Sequence, residues 1–349
     1  METLIFNHML AGPDWGFEPH QFVNYEQALQ QPFKIAALIV YFDNPAFFSY
    51  DPEIANLDFS KFDLVLLSSI EAFSPRLIEQ WAKAKNFKQY LLVTGSLERG
   101  QSLPDNSIYR PWWAFNIVNS NPIQEIHQIK KPFYFDVLLG ARRKHRDFVM
   151  LGFQQNNLLE KNIVSYREIF PSNQIEFDDN IKHFFPLTTK WPYVSPALTP
   201  DLEVREVLDK SISSCMPWKI YQKTYYSIIA ETLGEGAAFF LSEKTGKAFY
   251  GRRIFVHFGI QGFLQQSRKL GFETFSNICN ESYDDIEDDV DRWQGALNAV
   301  LDIMQQDPEY VVQQCYDITE HNFHHLIKLK TLARSEEHTS ELQSRLHLV

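Results

Sequence analysis

The chain has 349 residues, a length that favours two domains. Of these residues 44% are hydrophobic and 22% charged, which is an ordinary composition for a globular protein. Its 44 acidic side chains outnumber its 33 basic ones, which gives a formal net charge of -11. Because nucleic acids and anionic lipid surfaces attract basic stripes, and the sequence contains none, we expect neither as a partner.

The three cysteines, Cys215, Cys279 and Cys315, are far apart and form no Cys-x-x-Cys pair. Their pattern indicates buried thiols of a reducing compartment rather than a disulfide framework or a zinc site. The N-terminus lacks the basic and apolar regions of a signal peptide, and no apolar run approaches about 18 residues. We therefore expect a cytoplasmic protein without a transmembrane segment.

The first third of the chain alternates apolar runs with one amphipathic stretch. Residues 1–30 show little periodicity and are expected to form a lead-in. After them, the sequence predicts strands and a helix in the order strand, strand, helix, strand, at 33–41, 62–68, 75–85 and 90–94. This order implies right-handed crossovers and a Rossmann-like domain. The irregular, proline-containing segment 110–132 predicts a domain boundary near residue 130.

The rest of the chain repeats this alternation. Strands are predicted at 133–140 and 163–166, with a helix beginning near Phe148. In 225–275, apolar runs alternate with charged turns that open helices, which is typical of a parallel nucleotide-binding sheet. We therefore predict an α/β fold with two Rossmann-like domains, at 1–130 and 131–333.

Glu243 and Lys244 lie side by side where an apolar run meets a helix start. Ligands of open α/β sheets bind at the carboxyl ends of strands, where a helix N-terminus favours phosphate. Glu243 can accept hydrogen bonds from sugar hydroxyls, and Lys244 can bind a diphosphate. The alternative is that Ser242 is only an N-cap and Glu243 only a first-turn acid, which leaves Lys244 unexplained.

The most basic cluster follows the strand predicted at 133–140 and consists of Arg142, Arg143, Lys144, His145 and Arg146. A basic turn between a strand and a helix can bind a diphosphate, and the planar guanidinium of arginine bonds two oxygens at once. The alternative is a solvated basic loop.

Short blocks of the sequence resemble two groups of proteins. The runs Ser227-Ile-Ile-Ala-Glu231-Thr232 and Phe239-Phe-Leu-Ser-Glu-Lys-Thr-Gly-Lys-Ala248 are similar to the hallmark of the alpha-1,3-fucosyltransferase type of GT-B glycosyltransferase. The same region, with Gly271-Phe-Glu-Thr-Phe275 and Glu281-Ser-Tyr-Asp284, also resembles uncharacterised proteins of environmental bacteria and phages. Ser242 stands in place of their usual threonine, and Ala248 in place of their proline.

This resemblance implies a GT-B glycosyltransferase, whose two Rossmann-like domains face each other across a cleft. The donor substrate would be a nucleoside-diphosphate sugar bound by the C-terminal domain, and the acceptor a glycan or another hydroxyl compound, with no metal and no further cofactor. By this match Arg146 is the preferred phosphate ligand, and Arg143, Arg142 and His145 are further candidates. Glu231, Glu243 and Lys244 would complete the donor site.

Two glutamates of the first domain are candidates for the general base. An inverting transferase needs a carboxylate that takes the proton from the attacking hydroxyl, and in a GT-B protein it comes from the N-terminal domain. Glu71 and Glu98 each follow a predicted strand. The alternative for both is a solvated loop acid. A chain without such a base would be a non-catalytic, GT-B-like protein that binds carbohydrate or nucleotide.

Three further segments carry no predicted site. The acidic segment 281–291 lacks the spacing of a calcium loop and indicates a helix start, and His321, His324 and His325 lack the order of a zinc helix. Residues 334–349 resemble the translation of a sequencing-library adapter, so we expect them to lie outside the fold.

Overall fold

The computed structural model describes residues 5–7, 21–39, 42–44, 47–48, 57–69, 73–126, 130–140, 143–166, 193–194, 196 and 214–338. The chain divides into two compact units. The first comprises Met1–Trp113, Ala238–Leu241 and Leu329–Val349, and the second Ala114–Ala237 and Ser242–Lys328. None of the helices formed by the described residues combines the length and the apolarity that a membrane crossing requires.

The strands, in chain order, are β1 (Ile5–Asn7), β2 (Phe22–Val23), β3 (Ile35–Ile39), β4 (Phe42–Asn44), β5 (Phe47–Phe48), β6 (Leu64–Ser69), β7 (Tyr90–Thr94), β8 (Ser96–Glu98), β9 (Ser107–Tyr109), β10 (Phe133–Leu139), β11 (Ile163–Tyr166), β12 (Tyr193–Val194), β13 (Thr224–Ala230), β14 (Ala238–Phe240) and β15 (Ile254–Phe258). The helices are α1 (Tyr25–Leu29), α2 (Pro75–Ala84), α3 (Trp112–Ser120), α4 (Lys144–Gln155), α5 (Trp218–Tyr221), α6 (Glu243–Tyr250), α7 (Phe263–Lys269), α8 (Asp289–Met304), α9 (Pro308–Gln314) and α10 (Tyr316–His338).

The first unit is built on a six-stranded parallel sheet in the order β2-β1-β3-β6-β7-β9. Its two faces belong to separate apolar clusters, because successive side chains of a strand point in opposite directions. Val65 and Leu67 pack with Ile78 of α2 on one face, and Leu64 and Leu66 lie in the cluster of the other. Burial on both faces explains why these strands are continuous apolar runs.

The second unit contains the sheet β12-β11-β10-β13-β15, in which β11, β10, β13 and β15 are parallel and β12 is an antiparallel edge strand. Helix α4 packs against α8 at Gly152. A Cβ on this glycine would lie 2.7 Å from Leu297 Cδ2, so a larger residue here would force the Leu297 side chain to shift. The carboxyl ends of β10 and β13 lead to the residues of the predicted donor site.

The prediction of an α/β fold with parallel sheets is confirmed, and the two sheets are compatible with two Rossmann-like domains. The strands predicted at 90–94 and 163–166 have those bounds, and the predicted helix at 75–85 is α2. The division into units places 114–130 with the second unit, and the predicted boundary near residue 130 stays a prediction. Helix α10 extends beyond Arg334, and the adapter origin of 334–349 also stays a prediction.

Four local expectations were wrong. The lead-in contains β1, a parallel strand inside the first sheet, which is too short to show a periodicity. The segment 110–132 contains helix α3, which buries apolar side chains although the residues around it have a loop-like composition. Helix α4 begins at Lys144 rather than near Phe148. Finally, β14 pairs antiparallel with β8 of the first unit and is not a strand of the parallel sheet.

Candidate functional site

The strand end at β13 brings most of the predicted donor-site residues together within the second unit. Glu231 follows β13 directly, Glu243 and Lys244 open α6, and Arg146 lies in the first turn of α4. Because β10, which leads to α4, is the parallel neighbour of β13, the two connections leave the same edge of the sheet. This is the edge at which open α/β sheets bind ligands.

Glu231 is the buried anchor of this arrangement, with 2% of its surface exposed. Its carboxylate accepts hydrogen bonds from Thr245 Oγ1 at 2.5 Å and from the Thr232 amide at 2.8 Å. Its backbone carbonyl accepts from His145 Nε2 at 2.8 Å and from Arg146 Nη2 at 2.9 Å. One residue therefore joins the end of β13 to the first turns of both α4 and α6.

The contact with Glu231 also shows which ring nitrogen of His145 carries a proton. A carbonyl oxygen can only accept, so Nε2 carries the proton and donates it. Burial, reinforced by the charge of Arg146, holds the pKa of His145 well below its usual range. His145 is consequently a neutral imidazole at neutral pH, and it positions the strand end rather than binding phosphate as a cation.

Arg146 is a buried helical residue and not part of a solvated loop, since only 4% of its surface is exposed. Burial and the neighbouring charge of Arg143 lower its pKa to about 10, so it stays charged at neutral pH. Its guanidinium lies within electrostatic range of the Glu231 and Glu243 carboxylates. Arg143 is exposed at the N-cap of α4, and Arg142 lies outside the described residues.

Ser242 is the N-cap of α6, because its hydroxyl accepts a hydrogen bond from the Lys244 amide at 3.1 Å. The N-cap interpretation is thus confirmed for Ser242, yet it does not account for the ammonium of Lys244. Lys244 Nζ donates to Glu243 Oε1 at 2.7 Å and to Thr232 Oγ1 at 3.3 Å. The side chains of Lys244 and Glu243 remain 24% and 16% exposed, so solvent and ligands can reach both.

Two residues of α6 have lowered pKa values, for different physical reasons. Burial acts to raise the pKa of Glu243, but the charge and hydrogen bond of Lys244, followed by the charge of Lys247, bring it below its usual value. Burial lowers the pKa of Lys247 to about 8. At neutral pH Glu243 is therefore ionised, and Lys247 is mostly protonated. Lys244 therefore places an ammonium in the first turn of α6, where backbone N–H groups already favour an anion, and Lys247 follows in the last turn.

The loop that follows β13 is held by Arg292, which directly follows the acidic segment 281–291 and which the sequence did not single out. Arg292 Nη2 donates to the Gly234 carbonyl at 3.2 Å, and Nε donates to the Gly259 carbonyl at 3.0 Å. A Cβ on Gly234 would lie 2.2 Å from His145 Nδ1, so the loop can pass the imidazole only as glycine. Arg292 and Gly234 thus position the loop that carries Thr232.

The structure describes only one of the two candidate bases, Glu98. Glu71 lies outside the described residues. Glu98 ends β8 in the first unit, is 14% exposed, accepts a hydrogen bond from the Ser74 hydroxyl and lies 3.8 Å from Arg76 Nε. Ser74 is itself the N-cap of α2. These contacts are those of a residue that fixes a helix start, and the assignment of Glu98 as the base stays a prediction.

Among the described residues, no group of three or more His, Cys, Asp or Glu side chains is arranged to hold a metal ion. His321 and His325 instead bond the carbonyls of Gly271 and Leu270, at 2.8 and 2.7 Å. In the acidic segment, Asp284 accepts from the Leu264 amide at 3.0 Å and so binds the start of α7.

Comparison of the chain with protein-family models, with curated proteins and with solved structures finds no match. The resemblance to GT-B glycosyltransferases therefore stays a prediction from the residues quoted above. A function has to be inferred from the chemistry of the site itself: the ammonium of Lys244 at a helix N-terminus, the Glu243 carboxylate beside it and the buried guanidinium of Arg146.

Proposed function

We propose that the second unit binds a nucleoside-diphosphate sugar and that the protein is a glycosyltransferase, which moves the sugar to a hydroxyl acceptor with inversion and without a metal. The observation that supports this proposal is the meeting of Lys244, Glu243 and Arg146 around the end of β13. Such a grouping pairs cations for a diphosphate with a carboxylate for ribose hydroxyls, at the edge of the sheet where nucleotides bind.

In the proposed reaction, the acceptor oxygen attacks the anomeric carbon of the donor sugar. The bond from that carbon to the diphosphate breaks, and the diphosphate leaves with the bonding electron pair. Lys244 and Arg146 stabilise its growing negative charge, while Glu243 accepts hydrogen bonds from the ribose. The acceptor proton passes to a carboxylate of the first unit, for which Glu98 and Glu71 are the candidates, across the cleft of a GT-B arrangement.

Fucose is the sugar that the resemblance suggests, with GDP-fucose as its donor and a glycan as its acceptor. The residues of the site, however, contact the ribose and the diphosphate, which nucleotide sugars share. The identity of the donor's nucleobase is therefore the first property to measure.

A thermal-shift panel of the full chain against GDP, UDP, ADP, CMP and their sugars tests the donor site. A ligand present at 100 times its Kd stabilises the folded state by about 2.7 kcal/mol, so the correct nucleotide should raise the Tm clearly above the others. Lys244→Ala should abolish this shift. Lys269→Ala, which removes an exposed lysine of α7, is the matched control and should keep it.

Catalysis is tested with the donor that the panel identifies, by measuring its transfer or its hydrolysis. Lys244→Ala and Arg146→Ala should each lower kcat by ~10²-fold, the usual effect of losing one preorganised electrostatic contact. Because Arg146 is buried, Arg146→Lys serves as a second variant that keeps a cation. Full activity in both Lys244→Ala and Arg146→Ala would refute the assignment.

The contacts of Glu98 favour a second candidate function, a non-catalytic protein that binds a nucleotide sugar or a carbohydrate. The Glu98 carboxylate already accepts a hydrogen bond from Ser74 and lies 3.8 Å from Arg76 Nε, so less of it is available to an acceptor hydroxyl. This candidate predicts a thermal shift that Lys244→Ala abolishes and no turnover of the donor. Glu71→Gln should change neither the thermal shift nor the absence of turnover.

A further inference from the structure

The second unit contains a cavity of about 990 Å³ at the edge of the sheet opposite to the candidate donor site. Lys131 comes just before β10, Tyr225 lies at the start of β13, and Arg252 precedes β15. All three strands therefore present their amino ends to this cavity. Its volume lies at the upper end of the range for small-molecule sites, roughly 300–1,000 Å³.

One wall of the cavity is a single helical face that continues from α9 into α10. Glu309 and Gln313 belong to α9, and Tyr316 and Glu320 to α10. Residues spaced by three and four positions lie on one side of a helix. Glu309, Gln313 and Tyr316 are exposed, so this wall offers a carboxylate, an amide and an aromatic ring. Within the described part of the chain, the side chains of Glu309 and Gln313 make no hydrogen bond or ion pair.

The edge of the sheet contributes the amine of Lys131, which has a lowered pKa. Lys131 Nζ donates to the carbonyls of Tyr221 and Thr224, at 2.7 and 3.0 Å. Burial, reinforced by the nearby charge of Arg253, lowers the pKa of Lys131 to about 7. Near neutral pH this amine is therefore only partly protonated.

Both arginines of the lining are paired within the protein. Arg252 Nε donates to Glu320 Oε1 at 2.5 Å, and Arg253 Nη2 donates to the buried carboxylate of Asp136 at 2.9 Å. The lining also contains the exposed carboxylates of Glu125 and Glu309 and the partly protonated amine of Lys131. Because its guanidinium groups are already paired, the cavity has little preference for an anion, and its carboxylates and amide offer acceptors and donors to a polar ligand.

We propose that this cavity is a second ligand site and that it binds a neutral carbohydrate. A sugar has an apolar face of C–H groups, which packs on aromatic rings such as those of Tyr316 and Tyr225, and hydroxyls that both donate and accept. Glu309 accepts from these hydroxyls, and Gln313 both donates and accepts. The site is independent of the proposed donor site, because none of its lining residues belongs to the cluster around Lys244.

Saturation-transfer NMR on the full chain, with lactose, maltose and cellobiose as probes, tests this site. At least one of these sugars should receive saturation from the protein. Tyr316→Ala should weaken its binding by roughly tenfold, the effect of losing one good aromatic contact. Tyr310→Ala is the matched control, since Tyr310 is 56% exposed on α9 and does not line the cavity, whereas Tyr316 is 49% exposed.

Three results would overturn the proposal: no transfer to any of the three sugars, equal weakening by Tyr316→Ala and Tyr310→Ala, or tighter binding of the charged probes glucosamine or glucose 6-phosphate. Lys244→Ala separates this proposal from the proposed function. It should leave the sugar signal unchanged while it abolishes the nucleotide-dependent thermal shift. Sugar binding that is lost in Lys244→Ala would mean that the probe occupies the donor site instead.

Discussion

Two charged clusters lie at opposite edges of the parallel sheet in the second unit, and they differ in how completely their groups are paired. The amino-edge cluster consists of Asp136, Thr224, Ser227 and Arg253. Arg253 is 3% exposed. Its guanidinium donates to the Asp136 carboxylate, to the hydroxyls of Ser227 and Thr224, and to the backbone carbonyls of Tyr221, Thr224 and Tyr226.

The carboxyl-edge cluster consists of Arg146, Glu231, Glu243 and Lys244. Its inner half resembles the amino-edge cluster, because Glu231 is buried and both its carboxylate oxygens accept hydrogen bonds. Its outer half is different. An ammonium has three donors, and within the described residues Lys244 Nζ uses two of them, on Glu243 and Thr232.

This difference separates a structural role from a binding role for similar residue types. A guanidinium whose N–H groups all meet protein oxygens, out of reach of solvent, stabilises only the fold around it. A partly exposed ammonium with a donor to spare can bind a ligand without breaking its protein contacts. The comparison therefore predicts that substitutions of Asp136 and Arg253 in the amino-edge cluster affect folding, whereas those in the outer half of the carboxyl-edge cluster affect binding.

The largest effect is expected from Arg253→Ala, which leaves the Asp136 carboxylate buried without its cation. Removing one partner of a buried ion pair destabilises a protein by about 3–5 kcal/mol. Denaturant unfolding followed by circular dichroism measures the loss. The double variant Asp136→Leu/Arg253→Met, which removes both charges, should recover much of it. A loss below about 1 kcal/mol in Arg253→Ala would show that the cluster does not hold the sheet.

Acid should weaken the carboxyl edge through two buried histidines, His145 and His257. Burial, reinforced by the charge of Arg292, lowers the pKa of His257 to about 3, and the ring stacks on Phe263 with centroids 3.6 Å apart. The unfolded chain binds a proton near pH 6.5 and the folded chain does not, so the free energy of unfolding falls as the pH decreases from about 6.5 towards 3.

His257 should contribute a loss of about 2 kcal/mol by pH 5, and His145 should contribute a loss in the same direction. Urea unfolding at a series of pH values measures this slope. His257→Phe keeps a ring on Phe263 but cannot bind a proton, so its curve should be shallower than that of the wild type. Parallel curves would mean that His257 is protonated in the folded state as readily as in the unfolded chain.

Sequence reasoning located the carboxyl edge because its elements are locally encoded. The largely apolar strand Thr224–Ala230 is followed by an acid, and Ser242 marks the start of α6 as an N-cap. The local signals predicted a site at Glu243 and Lys244, the resemblance added Glu231 to it, and the structure joins the three through Thr232 and Thr245.

The contacts that organise this edge could not be predicted, because they join distant parts of the chain. His145 lies 86 residues from Glu231, and Arg292 lies 58 residues from Gly234. Nothing near either residue in the sequence marks its partner. The whole amino-edge cluster was missed for the same reason: a lone Asp136 in a predicted strand and Arg253 beside another arginine gave no sign that they would meet.

Lys244→Ala should have the smallest effect on stability and thereby sharpen the contrast with Arg253. A partly exposed ion pair contributes roughly 0.2–1 kcal/mol, so the free energy of unfolding at neutral pH should fall by less than about 1 kcal/mol. The pKa of Glu243 should rise, because burial remains while its main cationic partner is lost. An NMR titration of the Glu243 carboxyl in the wild type and the variant measures this change.

In the wild type, the lowered pKa of Glu243 contributes stability above its unfolded value of 4.5, and this contribution is lost as the pH falls below that value. In Lys244→Ala, the folded state should bind the proton more readily, so the acid-dependent loss from Glu243 should shrink. If Lys244→Ala instead destabilised the chain by more than about 2 kcal/mol, Lys244 would be a structural cation like Arg253. Its partial exposure would then be no reason to place a diphosphate beside it.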